Sequence, residues 1–249
     1  MNNLFSIITP SYNTARFIEE TINSVLAQSY QNWEMLIVDD CSKDNSTEII
    51  LNYCKKDNRI KLIQLTKNVG AAEARNIALR KAEGQFIAFL DSDDVWASNK
   101  LEKQLEFMKQ KNIAFCFSSY QTIDISGKNL NKTIHAPKII DYRHFLGNTI
   151  IGCLTVVIDK SKTGYFEMPN IKSSHDMALW LLIMKRGFKA YGIDEILASY
   201  RLVPTSNTAN KWKAAKNVWR VYRQIEKINI ISSFYYFICY SANAIKKRI

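Results

Sequence analysis

Glycine is scarce in this chain, and the glycines present are badly spaced for holding phosphates. The eight of them (Gly70, Gly84, Gly127, Gly147, Gly152, Gly164, Gly187 and Gly192) form neither a GxGxxG nor a GxxxxGK pattern. Without these a dinucleotide fingerprint or a Walker loop cannot be built, which excludes the commonest dehydrogenases and P-loop ATPases. Proline is scarcer still, at four residues, so a disordered or loop-dominated chain is excluded as well. His135, His144 and His175 lack zinc spacing, and none of the five cysteines belongs to a CxxC pair. Cys41, Cys54, Cys116, Cys153 and Cys239 read as free thiols, the last three in apolar contexts, which predicts a reducing cytoplasm. The start, Met1-Asn2-Asn3-Leu4, lacks the charged segment and long apolar run of a secretory leader. The most apolar late stretch, residues 228–245, is interrupted by Asn229, Ser232, Ser233, Ser241 and Asn243, short of the roughly 20 apolar residues a spanning helix needs.

What is present is a chain of 249 residues, 47% hydrophobic, enough for one large core. Short β-rich runs at residues 5–9, 34–38, 60–65, 86–90 and 114–118 alternate with amphipathic stretches at 14–28, 44–56, 71–83 and 99–111. This rhythm predicts a mostly parallel sheet with helices on both faces. Beyond about residue 120 it changes to strand-like pieces at 154–158 and 196–200 and a helix over 175–186 that Gly187 stops. No Ser-, Pro- or Gly-rich linker, repeat or low-complexity tract divides the chain, so this half reads as a continuation of the same sheet. The formal charge is +11, and from Lys211 onward nine basic residues face one acid, Glu226. That end reads as two helices. The second either packs on the domain or lies in a membrane interface, its aromatics buried and Lys246-Lys247-Arg248 on anionic lipid.

Chemistry concentrates where strands end. Leu36-Ile37-Val38 runs into Asp39-Asp40, and Phe89-Leu90 runs into Asp91-Ser92-Asp93-Asp94. In a parallel sheet both ends lie on one edge, where open α/β sheets bind ligands, so clusters about 50 residues apart converge on one cleft. Their mutual repulsion calls for a divalent cation or hydrogen-bond donors. Asp39, Asp91 and Asp93 are the ligand candidates. Asp40 and Asp94 are read either as ligands or as helix caps.

Thr9-Pro10-Ser11-Tyr12-Asn13, Val38-Asp39-Asp40-Cys41-Ser42 with Asp44, Asn68-Val69-Gly70, Ala74-Arg75-Asn76 and Phe89-Leu90-Asp91-Ser92-Asp93-Asp94 stand in an order and spacing that resembles the family 2 glycosyltransferases with the GT-A fold. His175-Asp176 and Tyr200-Arg201 extend the likeness, whose nearest members build bacterial surface polysaccharides such as teichuronic acid. The resemblance implies a single Rossmann-like nucleotide-diphospho-sugar transferase domain over residues 1–205, with a basic, aromatic helical extension over 206–249. It implies that Thr9, Pro10 and Tyr12 border a nucleotide base and that Asp39 accepts its imide N–H, which suits uracil. By the same resemblance Arg75 lies near the nucleotide, Asp93 ligates Mn²⁺ or Mg²⁺, Asp91 reaches the ribose or the metal, Asp94 contacts the sugar and Arg201 clamps the diphosphate. Asp176 is implied as the base that takes the acceptor's proton, with an N-cap as its structural alternative. Many relatives of this kind carry Glu before that Asp, where this chain has His175. Trp96 either closes the pocket or belongs to the interior.

The expectation is therefore an inverting, metal-dependent hexosyltransferase. Its donor is a nucleotide-sugar, UDP-linked, and its acceptor a lipid-linked glycan at the inner face of the cytoplasmic membrane, where the enzyme sits peripherally. A metal-dependent sugar nucleotidyltransferase is the rival enzyme, but it brings a glycine-rich basic loop near its first strand, and residues 9–13 contain neither Gly nor Lys. A basic membrane- or nucleic-acid-binding module would account for the charge but not for the clustered acids, which repel phosphate. Nucleic acid is not an expected partner.

Overall fold

The computed structural model describes residues 3–203 and 211–246. Its first half alternates as expected: β1 (Phe5–Ser11), α1 (Ile18–Leu26), β2 (Trp33–Asp39), α2 (Ser46–Lys56), β3 (Ile60–Gln64), α3 (Ala71–Lys81) and β4 (Phe86–Phe89). Next come β5 (Val95–Trp96), α4 (Lys100–Gln110), β6 (Phe115–Ile123), β7 (Asn129–Ile134), β8 (Ile139–Ile140) and α5 (Tyr142–Gly147). A 3₁₀ turn (Cys153–Thr155) leads to β9 (Val157–Asp159), α6 (Lys160–Thr163), α7 (His175–Lys185) and β10 (Ala190–Arg201). The chain ends in α8 (Lys211–Arg220), a π-helical turn (Val221–Ile225) and α9 (Ile230–Lys246).

One sheet runs β3-β2-β1-β4-β9-β6-β10-β5, with β7 on β6 and β8 on β10. The β3, β2, β1 and β4 strands are parallel, as are β6 and β10, whereas β9 lies antiparallel between β4 and β6. The strand expected over 154–158 is thus split into the 3₁₀ turn and the short β9. Alternation along the buried strands builds a core on each face. Phe5, Ile7, Met35, Ile37 and Ala88 pack with α1, α2 and α4, while Ile8, Leu36, Val38, Ile87 and Phe89 pack with α3, α5 and α7. Gly187 ends α7 as expected, at φ +96, with its N–H on the Met184 carbonyl (3.0 Å).

Val218, Val221 and Tyr222 of the C-terminal segment join the second of these cores. The Tyr222 hydroxyl donates to the Leu146 carbonyl, and Asn243 Nδ2 donates to that of Gly147 (3.0 Å). On α9, Ser233 is buried and Tyr236, Phe237 and Tyr240 pack inward, while Ile231 (80% exposed), Phe234, Tyr235 and Ile238 face outward. The inward face packs on the domain, and the outward face is left apolar and exposed. Among the described residues no helix is long and apolar enough to cross a membrane. The expected 205/206 boundary and the basic Lys247-Arg248 lie outside the described residues.

Lys100, at 0% exposure, braces the 3₁₀ turn from within the core. Its amine lies over the Trp96 ring (4.7 Å) and donates to Gln104 Oε1 and to the Thr155 carbonyl (3.3 Å). Trp96 is interior and donates its indole N–H to the Leu154 carbonyl (2.8 Å), so both side chains hold the 3₁₀ turn. Burial pushes the Lys100 pKa down to about 7. Below pH 7 the folded and unfolded chains both carry that proton; between about 7 and 10.5 only the unfolded chain does, so stability rises with pH across this window, by up to about 1.4 kcal/mol per unit. Lys100→Met is expected to lose that rise. Urea-unfolding midpoints of the two proteins between pH 6 and 10 check it, and parallel curves would show that Lys100 does not titrate there.

Candidate active site

β1 and β2 end side by side, Ser11 opposite Asp39, and deliver the first set of candidates. Loops 12–15 and 41–46 are stitched together: Asn13 N–H donates to Ser42 Oγ (2.9 Å), Lys43 N–H to Asn13 Oδ1 (2.7 Å), and Ala15 N–H to Asp44 Oδ2 (3.0 Å). Asn13 and Cys41 adopt left-handed backbone, at φ 53 and 66, to make this turn. Asp39 is buried and oriented by Ser42, whose Oγ and N–H donate to its two oxygens (2.5 and 3.0 Å). Each oxygen retains a lone pair for a further donor. Thr9 Oγ1 is buried without a partner, Pro10 is half-buried and Tyr12 is 49% exposed. Asp40 serves the scaffold: its carboxylate accepts the N–H groups of Val69 and Gly70 (2.7 and 2.8 Å) ahead of α3. Gly70 sits there at φ +87, which strains any residue with a Cβ.

β4 ends one strand over, at Asp91, Asp93 and Asp94. Arg75 of α3, 5% exposed, crosses to this cluster and donates to Asp91 Oδ1. Burial opposes the Arg75 charge, but the neighbouring groups, Asp91 first among them, together outweigh burial and raise the Arg75 pKa above its ordinary value. Arg75 is therefore not a solvated helix arginine. Burial first, and the Asp91 charge second, push the Asp93 pKa up to about 6. Asp94, at 1% exposure, is pushed well above the carboxylate range by burial and then by Asp93 and Asp91.

Asp94 Oδ1 accepts the Arg201 backbone N–H (2.8 Å), and its carbonyl accepts from Thr21 Oγ1 (2.8 Å), so Asp94 ties this loop to β10 and α1. It caps no helix; the nearest, α4, begins after Asn99. Asp94 Oδ2 is buried and unpartnered.

Arg201 sits differently from the expected diphosphate clamp. Its side chain is 1% exposed and donates to Glu20 Oε2 (2.5 Å), the Asp93 carbonyl (2.7 Å) and the Asp124 carbonyl (3.2 Å). With its guanidinium also 5.1 Å from the Phe17 ring, it supports the acid loop from behind.

The third set comes from α7. Ser174, left-handed at φ 59, is the N-cap position, so Asp176 lies inside the first turn and is not the cap. His175 reaches back to Arg75 (Nε2 to Nη1, 2.7 Å), and burial, then the Arg75 charge, lower its pKa. A neutral imidazole nitrogen thus accepts the Arg75 N–H.

Tyr120 and Cys153 also border this site, and sequence reasoning misses both. Burial first, then Asp94 and Asp176, push the Tyr120 pKa up to about 12. Cys153 is pushed well up by burial, with Arg75 opposing and Asp91, Asp176 and Asp94 adding. Tyr120 is open to discovery from the chain, since β6 runs parallel to β10 toward the same sheet edge. Cys153 carries no such signal.

The structure thus brings Arg75, Asp91, Asp93, Asp94 and Asp176 together, with the Asp39 pocket alongside on the same sheet edge. Among the described residues no three His, Cys, Asp or Glu side chains form a metal cage. The acid excess around Arg75, the raised pKa of Asp93 and the unpartnered Asp94 Oδ2 nevertheless fit a divalent cation whose shell a diphosphate completes.

The model of the family described as Glycosyl transferase family 2 matches residues 6–170. TuaG of Bacillus subtilis (strain 168), named as a teichuronic acid biosynthesis glycosyltransferase, is 52% identical over 99% of this chain and 98% of its own. WfgD of Escherichia coli, named as a UDP-Glc:alpha-D-GlcNAc-diphosphoundecaprenol beta-1,3-glucosyltransferase, is 42% identical over 98% and 95%. In fold, the chain is similar to S. aureus TarS 1–349 in complex with UDP-GlcNAc, with TM-score 0.71, 22% identity and coverage of 89% and 65%. It is also similar to the mannosyltransferase PcManGT of Pyrobaculum calidifontis in complex with GDP-Man and Mn²⁺, at 0.70, 16%, 98% and 73%. The GT-A architecture implied by the family resemblance is the one observed, and the chain belongs to glycosyl transferase family 2.

Proposed function

We propose that this protein transfers a hexose from a UDP-sugar, with inversion, to a hydroxyl of a lipid-linked oligosaccharide in the assembly of a surface polysaccharide. The observation that carries the reading is the meeting of the β4 acid cluster, Arg75 and Asp176 at one sheet edge. The end-to-end match with a relative whose name specifies a diphosphoundecaprenol acceptor supports the acceptor class.

In this reading Asp39 accepts the uracil imide N–H, Thr9 and Pro10 line the base, and exposed Tyr12 closes over it. Asp93, with Asp91, holds Mn²⁺ or Mg²⁺, which when bound offsets the charge developing on the leaving UDP. Arg75 fixes Asp91, and Asp94 and Arg201 act as positioning residues that fix the backbone of the acid loop. Asp176 takes the proton of the attacking hydroxyl on the face opposite the leaving group. The outward apolar face of α9, with Trp212 at 88% exposure, sets the enzyme on the membrane surface that carries its acceptor.

A panel of nucleotide-sugars with Mn²⁺ or Mg²⁺ tests the donor. A UDP-hexose is expected to raise the unfolding temperature and to yield a β-linked product from an α-linked donor on a polyprenyl-diphosphate sugar. Stabilisation by another nucleotide's sugars and none by UDP-sugars would overturn it.

A further inference from the structure

Beside the N-terminus of α7 lies a cavity of about 150 Å³ whose polar lining comes from Lys172, Ser173, Asn217, Arg220 and Gln224. It contains two cations, two carboxamides and a hydroxyl, and no carboxylate. Among the described residues neither Lys172 nor Arg220 is in an ion pair. The acid closest to Arg220 in sequence, Glu226, is already held by Lys185 (2.7 Å) and Tyr142 (2.5 Å). Asn217 is 9% exposed, so its amide is largely desolvated. The cavity is thus chemically prepared for an anion with several oxygen acceptors.

Two further observations place that anion in the reaction. The helix that supplies Arg220 and Gln224 changes from α to π geometry at Val221–Ile225, where it borders the cavity. Single π turns are rare and collect at functional sites. On the other wall, the chain runs from Ser173 through left-handed Ser174 to His175 and Asp176. Ser173 is three residues from Asp176, within about 11 Å even if fully extended. The cavity and the proposed base therefore share one short segment, with Ser173 on the cavity wall and Asp176 three residues on.

We infer that this cavity binds the diphosphate of the lipid-linked acceptor. Lys172 and Arg220 neutralise the phosphates, Asn217 and Gln224 donate amide N–H groups, and the sugar is held with its free hydroxyl toward Asp176. The inference rests on the glycosyl transfer proposed above and assigns that reaction its acceptor-anchoring residues.

Kinetics of the full chain with Lys172→Gln/Arg220→Gln test it, using a short-chain prenyl-diphosphate sugar and the same sugar as an uncharged alkyl glycoside. The double variant is expected to raise KM for the diphosphate acceptor about 10–100-fold, from the loss of two charge-assisted contacts. It leaves kcat, KM for the UDP-sugar, and turnover of the alkyl glycoside unchanged. Equal losses on both acceptors, or an unchanged KM for the diphosphate acceptor, would overturn the assignment. So would a variant that loses only its binding to phosphatidylglycerol vesicles, since the cations would then serve lipid headgroups. Direct titration with geranyl diphosphate separates this inference from the proposed reaction. Binding by the wild type that the double variant loses upholds the cavity even if no sugar is transferred. Equal binding by both proteins, or by neither, overturns it even if transfer is fast.

Discussion

Asp93→Ala is expected to reduce transfer by about 10³-fold or more while leaving the protein folded. A bound cation supplies several kcal/mol of transition-state charge stabilisation, and each 1.4 kcal/mol is about tenfold in rate. Asp93 is the acid of the cluster best placed to hold it, because Asp91 is bonded to Arg75 and Asp94 to the Arg201 backbone. Folding does not depend on Asp93 ionisation; the reverse is true. Its folded pKa, about 6, lies above the ordinary 3.8. The stability it contributes is therefore complete below 3.8 and lost as pH rises through 6. At pH 7 the alanine variant should melt no lower than the wild type, and the two should converge in relative stability as pH falls toward 4. Turnover in a Mn²⁺ or Mg²⁺ titration, with excess chelator as the other arm, reads the catalytic effect. Full activity of the variant, or of the wild type in chelator, would remove Asp93 and the metal from the reaction.

The part of the site carried by strand ends is legible in the amino-acid sequence. Residues 35–38 and 86–90 are apolar runs with an acid at the end, and a parallel sheet sends such ends to one edge. Apolar runs bounded by turn residues locate β1, β2 and β4, and helical periodicity locates the helices between them. β9 is three residues long and antiparallel, and three residues have no readable period. Its place between β4 and β6 is set by what packs on either side. Arg201 shows a different limit. Its chemistry suits a phosphate, but a sequence cannot reveal that Glu20, 181 residues away, and the Asp93 carbonyl already engage it. Asp94 is ambiguous in the sequence for the same reason, since its partner, the Arg201 backbone, is 107 residues away. For α9, composition records aromatics along most of the helix, and only packing against α5 and α8 separates the buried face from the outward one.

Asp176→Asn is expected to lower kcat about 10²–10⁴-fold, the range that a positioned general base supplies. The amide keeps the size and hydrogen-bonding reach of the carboxylate but cannot accept a proton. The groups around it leave Asp176 as the base. Tyr120, with its pKa near 12, remains protonated at neutral pH and is a donor. The Nε2 of His175 is engaged by Arg75. Cys153, pushed well up, remains a thiol. Asp91 is paired with Arg75, and Asp93 and Asp94 belong to the β4 cluster that faces the donor's diphosphate in the proposed reaction. Because Asp176 lies in the first turn of α7 and is not its cap, the substitution should leave the helix intact. KM for the UDP-sugar should then stay near the wild-type value while kcat falls, the signature of an interaction made only in the transition state. Unchanged kcat would move the base elsewhere, and a parallel rise in KM for the donor would make Asp176 a binding residue instead.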